Sequence, residues 1–143
     1  MSLPIRERIL QALATRLDAQ RGLEGYDLSE LPITILVEGG DEAQEDDYDM
    51  TRVAMPVTVA RAVAKSGLKT DAWYEDANIE LAQMVVDAFG SDETFGGLAQ
   101  GMDYAGGEVG VLTDGAQGYT AQISLIIRYA FLHGNPFANE EEA

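Results

Sequence analysis

The chain contains no cysteine. Disulfides, thiolate metal sites and cysteine nucleophiles are therefore excluded, and a reducing compartment suits it. Histidine is almost as scarce, His133 being the only one in 143 residues. It stands beside a turn, with no serine–aspartate or carboxylate pattern nearby to suggest a triad or dyad. A single imidazole is also a poor start for a metal site. Cations are few: nine Lys and Arg face 25 Asp and Glu, a net charge of −16. No basic stripe supplies the counterion release that drives binding to phosphates, and the field repels nucleic acid and anionic membranes. No stretch approaches the roughly 18 apolar residues of a membrane span. The opening, Met1 to Arg8, lacks the apolar core of a secretory signal, so the protein is expected to be made in the cytoplasm and to stay soluble.

What remains is ordinary for a globular protein. The chain is 46% hydrophobic and long enough for one core. Its large negative charge requires some self-repulsion to be offset, by burial or by contacts with other chains; simple solubility is the plainer reading of the same charge. A single domain is expected over 1–137, followed by an acidic, disordered tail over 138–143.

The hydrophobic pattern places the elements. Ser2 and Pro4 suit the start of a helix, and Ile5, Ile9, Leu10, Leu13 and Leu17 recur at helical spacing. The pattern predicts an amphipathic helix over 4–21, ended by Gly22 and Gly25. Leu31 to Glu38 reads as a strand, with Ile33, Ile35 and Val37 on one face and Thr34 and Leu36 on the other. Met50 to Val63 reads as a second strand, in which Val53, Met55, Val57, Val59 and Val63 alternate with Arg52, Thr58 and Ala60. Pro56 cannot donate to a ladder, which predicts an edge strand or a bulge there. Pairing of these two strands gives a hairpin. A second helix is expected over about 72–89, capped by Asp71, with Ile79, Ala82, Val86 and Phe89 as its core stripe, widened by Leu81, Met84 and Val85; Gly90 stops it. The glycine-rich stretch 95–118 predicts short, irregular strands with turns near Gly106-Gly107 and Asp114-Gly115. Tyr119 to Phe131 keeps strict alternation and is the clearest strand. The order α, β, β, α and then several β, without a βαβ rhythm, predicts an α+β fold: an antiparallel sheet with two amphipathic helices on one face.

Sites with chemistry are hard to find in this pattern. The acidic loop holds Asp41, Glu42, Glu45, Asp46, Asp47 and Asp49, of which Asp41, Glu45, Asp47 and Asp49 alternate in part like a calcium loop. It lacks the central glycine, and Arg52 stands where a final glutamate would be required. A solvated loop is the default reading. The run Gly96-Gly97-Leu98-Ala99-Gln100-Gly101 matches neither the dinucleotide fingerprint nor a phosphate loop, and turn geometry explains it better. Carboxylates could pair in space for hydrolysis, but nothing singles out a pair. The sequence gives no positive sign of an enzyme, a cofactor or a metal.

Taken in order, the segments resemble the tail terminator (minor tail or neck) proteins of long-tailed bacteriophages. The resemblance runs from Ile5-Arg6-Glu7-Arg8-Ile9-Leu10-Gln11-Ala12-Leu13, through the strands between Leu31 and Val63, to the helix from Asn78-Ile79-Glu80-Leu81. It continues through Asp92-Glu93-Thr94-Phe95-Gly96-Gly97-Leu98-Ala99 to the alternating strand ending Ile127-Arg128-Tyr129, and closes at Asn135-Pro136. The acidic loop has no counterpart in the family pattern. The resemblance implies a subunit of a homo-oligomeric ring, six copies around, in the virion tail or neck. Such a ring caps the head-proximal end of the tail tube, stops tube growth and joins the head, so the partners it implies are a tail tube protein and a head–tail connector or stopper. DNA passes through the ring without specific binding. The acidic loop could then face the lumen, meet a basic patch on a partner, or simply be exposed. Another head-completion or tube-associated assembly protein is the alternative, and a small acidic ligand-binding module a third reading.

Overall fold

A computed structural model describes residues 3–22, 32–44, 49–64, 70–112 and 118–139, the side chains of 70–72 excepted. The elements follow in the order α1 (Ile5–Leu17), β1 (Gln20–Arg21), β2 (Ile33–Glu38), β3 (Glu42–Ala43), β4 (Met50–Ala64), α2 (Thr70–Phe89), β5 (Gly101–Val111) and β6 (Gly118–Leu132). The fold is α+β, with two helices and one six-stranded sheet among the described residues. Its strand order is β1-β2-β4-β6-β5, and β3 pairs with β4 beyond the end of β2. The sheet is mixed rather than antiparallel throughout. The chain leaves α1 through Asp18 in the left-handed region (φ 51°) and then runs as β1 parallel to β2, with Gln20 opposite Ile35. That turn shortens the helix expected to reach residue 21. Ser2 and Gly25 lie outside the described residues. At the other end no side chain caps α1; Ile5 N–H donates instead to the Pro136 carbonyl at 3.0 Å.

β4 and β6 form the spine. They pair antiparallel in unbroken register from Met50↔Leu132 to Ala64↔Gly118. The alternation expected of both strands holds: Val53, Met55, Val57 and Val59 are buried with Ala121, Ile123, Leu125, Ile127 and Tyr129. This side of the sheet forms one cluster with Ile5, Ile9, Leu10, Leu13 and Leu17 of α1 and Met84 and Ala88 of α2. In β2 the register puts Leu36 beside Val59 and Thr34 beside Arg61, so these two belong to the same side, and Ile33, Ile35 and Val37 to the other.

Pro56 does not mark an edge. β4 is internal, between β2 and β6, and its pairing with β6 runs through Pro56↔Ile126 without a shift. The last β2 pair is Glu38↔Val57, so the missing N–H of Pro56 falls just beyond that ladder, opposite Gly39. The Pro56 carbonyl still accepts Gly39 N–H at 2.8 Å. The Gly39 carbonyl, which a proline cannot serve, accepts from the Arg6 guanidinium. Gly39 is required there, because a Cβ would stand 2.7 Å from Pro56 Cγ.

The glycine-rich region departs furthest from expectation. Gly101 to Val111 is one strand, not several, and it passes through Gly106-Gly107 with a bulge between Tyr104 and Gly106. Asp114-Gly115 lies outside the described residues. Within the segment expected as a tail, the Ala138 carbonyl accepts Leu132 N–H at 2.8 Å and Asn139 is buried. Among the described residues no helix is long and apolar enough to cross a membrane.

Candidate interaction surfaces

Of the six acidic-loop residues, the three that are described, Asp41, Glu42 and Asp49, have separate surroundings. Asp41 is fixed on both oxygens. Oδ1 accepts from Arg6 of α1, and Oδ2 accepts the Tyr129 hydroxyl at 2.6 Å. Arg6 also donates to Glu38 at 3.0 Å, and Glu38 accepts from Arg21 at 2.6 Å, while Arg21 donates to Glu7 at 2.5 Å. A chain of alternating charges thus ties α1, β1 and β2 to the start of the loop. Burial and the bond to Asp41 push the Tyr129 hydroxyl well above the usual tyrosine range, and the bond from Arg21 holds Glu7 below the usual carboxylate range. Glu42 sits in β3 opposite Ala54, exposed. Asp49 is exposed and accepts His133 N–H through its carbonyl at 2.9 Å. Glu45, Asp46 and Asp47 lie outside the described residues. Among the described residues no three His, Asp or Glu gather where they could hold a metal ion.

Residues 92–97 form a tight turn filled by its own carboxylate. Asp92 accepts Thr94 N–H at 2.9 Å, the Thr94 hydroxyl at 2.5 Å and Gly96 N–H at 2.7 Å. These bonds, the Thr94 hydroxyl foremost, hold its pKa below the usual range. The amides that might have held an external anion are occupied from within. Phe95, Gly96 and Gly97 all have positive φ, and a phenylalanine there is strained. Its ring is buried and lies 4.1 Å from the Arg16 guanidinium. Arg16 in turn donates to the carbonyls of Ala88, Phe89 and Asp92, closing the C-terminal end of α2.

Two shallow clefts lie among the described residues. One of about 120 Å³ lies among Met50, Leu98, Gln100, Ala130 and Asn139; the other, about 250 Å³, lies along Gly106, Glu108, Gln122 and Ser124 at the β5 bulge. His133 belongs to neither; its Nδ1 is 3.3 Å from Thr51 Oγ1 on the exposed surface.

The feature that sequence periodicity missed is on α2. Three of the four stripe residues expected in the core point outward: Ile79 is 62% exposed and Val86 63%, with Ala82 exposed between them, while Phe89 packs against the core. The buried face is Ala77, Met84 and Ala88, flanked by Leu81 and Val85. Arg61 sets this rotation. It projects from β4 between Thr34 and Ala121, and donates to Thr34 at 2.7 Å, to Leu17 O at 3.2 Å and to Glu80 Oε1 at 2.7 Å. A partly buried guanidinium needs a carboxylate. Turning Glu80 inward turns Ile79, Ala82 and Val86 outward. The sequence left the choice open: apolar residues from Ala77 and Met84 round to Val86 and Ile79 cover more of α2 than one core-facing stripe requires.

The fold therefore defines an α+β protein whose described surface carries an apolar helical ridge. No protein-family model matches the chain, and no curated protein matches it.

Proposed function

We propose that the chain is a structural virion protein that closes into a ring, six copies around, at the head-proximal end of a phage tail tube. There it ends tube polymerisation and presents the surface to which the head's connector or stopper joins. The resemblance in segment order supplies the identity. The observation that carries assembly is the exposure of Ile79 and Val86 on a helix whose other side is already in the core. Exposed apolar surface that is contiguous along a helix is a common mark of an interaction site. In this proposal both helices form a single layer over the Val59–Ile123 side of the sheet, which is supported by Arg61 on that side reaching both Leu17 and Glu80. The opposite side is then left for other contacts. DNA passes through the ring without specific binding, which the net charge of −16 favours. Asp41 has no part in lining a lumen, because its charge is used internally; Glu42 and Asp49 are the described acids that could serve.

Light scattering on the purified chain and negative-stain microscopy, alone and with purified tail tubes, test this. Rings, or caps on one end of each tube, are expected. A chain that stays monomeric and neither caps tubes nor permits head joining would remove the proposal.

A further inference from the structure

The sheet ends in an open strand. Among the described residues β5 pairs with β6 and with nothing beyond it. The Leu112 N–H donates to the Gly118 carbonyl at 3.0 Å. Bonding alternates along an antiparallel pair. In the β5–β6 register, Gly110, Glu108 and Gly106 therefore also turn their peptide groups toward β6, and Val111, Val109 and Gly107 turn theirs away. The bulge between Tyr104 and Gly106 interrupts the edge at one end. It leaves Gly106 to Val111 as a regular run of about 20 Å. That run holds no proline and no lysine, the residues that commonly block an edge. Gly107 and Glu108 are exposed.

The two sides of this edge differ. On the side away from the core, the cleft of about 250 Å³ runs along Gly106, Glu108, Gln122 and Ser124. Its walls are polar, and among the described residues the Glu108 carboxylate has no hydrogen-bond or ion-pair partner. The arginines of that side stand away from it. Arg128 is opposite Gly101 and paired with Asp103 at 3.1 Å, and Arg52 is opposite Ala130. On the core side Tyr104 lies over Gly107, where a Cβ would meet its hydroxyl, and Val109 packs against the core. A strand added here meets a lone carboxylate in a polar cleft on one side, and an apolar, aromatic surface on the other.

A second copy is a poor occupant. Two β5 edges paired about a two-fold axis set their Glu108 carboxylates opposite or diagonal to each other, which is unfavourable. The other end of the described sheet, β1, has two residues, and its Arg21 is already bonded to Glu7 and Glu38. We infer that the Gly106–Val111 edge receives an extended segment of a different protein as an added strand, with a Lys or Arg of that segment seated in the cleft against Glu108. The outward peptide groups supply the ladder, and the cleft selects the side chain. The inference does not rest on the ring proposed above.

The probe is a short capped peptide that alternates threonine and valine, with one lysine at a central threonine position. Amide hydrogen exchange of the full-length protein is followed with and without it. Exchange at Gly107, Val109 and Val111 is expected to slow by at least about tenfold at saturation, while Glu108 and Gly110, already bonded to β6, change little. Peptides N-methylated on every second amide separate a ladder from simple charge attraction. Methylation in one register should abolish binding, and in the other leave it intact. Glu108→Lys, at an exposed position, should weaken the lysine peptide and strengthen its glutamate counterpart, each by about fivefold. Binding that ignores the methyl register, or that Glu108→Lys leaves unchanged, would overturn the inference. So would unaltered exchange at millimolar peptide. Protection of the same three amides that rises with protein concentration, in the absence of peptide, would mean that a second copy takes the edge and would overturn it as well.

Discussion

The Tyr129 hydroxyl donates to Asp41 at 2.6 Å across 88 residues of sequence. Tyr129 stands in the middle of the core spine, 2% exposed, and Asp41 opens what reads in sequence as a solvated acidic loop. The bond pins the loop's first residue to the sheet, and Arg6 holds the other oxygen of the same carboxylate.

Asp41→Asn and Tyr129→Phe should each destabilise the protein by about 1–3 kcal/mol, because each leaves a partly buried partner short of a bond. Their double variant should lose less than the sum. Glu42→Gln, on the exposed β3, should stay within about 0.5 kcal/mol. Urea midpoints at constant slope measure all four. Equal effects at Asp41 and Glu42 would return Asp41 to the set of free loop acids.

The same hydroxyl predicts an alkaline weakness. Its folded pKa is raised above the ordinary 10.0, by burial first and the bond to Asp41 second. The folded state thus holds a proton that the unfolded chain releases. The stability contributed by Tyr129 is complete below about pH 10 and is lost as pH rises beyond it. Urea midpoints taken at about pH 9 and about pH 11 should fall further in the native sequence than in Tyr129→Phe. On the acid side, Glu7 is held below its ordinary 4.5 by Arg21, so its contribution is present above that value and fades as pH falls through the folded pKa.

The strands were legible wherever one face is buried and the other is not. Val53 to Val59 and Tyr119 to Tyr129 alternate because water lies on only one side of those positions during folding. Three things were not legible, each for a physical reason. The rotation of α2 was hidden because its apolar residues cover more than one core-facing stripe, and the inward side includes Glu80, whose partner Arg61 is distant in the chain. The continuity of β5 was hidden because its glycines read as turns, although β6 supplies a partner along nearly the whole length. The place of Pro56 depends on where β2 stops, and local propensity cannot give that. Among the site residues, the sequence located the acidic loop but not the use of Asp41, since both of its partners are remote in the chain.

Arg16 closes the end of α2 from another helix. Its guanidinium donates to three carbonyls at 2.6–3.1 Å, where the helix dipole favours a cation, and it covers the Phe95 ring. Arg16→Ala should cost about 2–3 kcal/mol, as for charge-assisted bonds to partly buried acceptors. Arg16→Lys should recover less than half, because an ammonium lacks the planar fork that spans separate carbonyls. Hydrogen exchange in the last turn of α2 should quicken in both. Unchanged exchange there would mean that the turn is held by Gly90 alone.

The rotation of α2 makes the final prediction, and it opposes what periodicity alone would give. Met84 is fully buried and Val86, two positions on, is 63% exposed. Met84→Ala should therefore cost about 2–5 kcal/mol through lost burial and the cavity left behind. Val86→Ala and Ile79→Ala should fall within about 0.5 kcal/mol when measured on the monomer. Glu80→Ala should cost more than either, since it strips the carboxylate from the partly buried Arg61. Restoring neutrality with Arg61→Met in the same chain should return part of that loss, because no unpaired charge then remains under the helix. Denaturant midpoints on dilute protein, below any assembly, separate these cases. A large loss at Val86 with none at Met84 would mean that the helix is turned the other way. The ridge would then be core, and the exposed surface proposed to carry assembly would not exist.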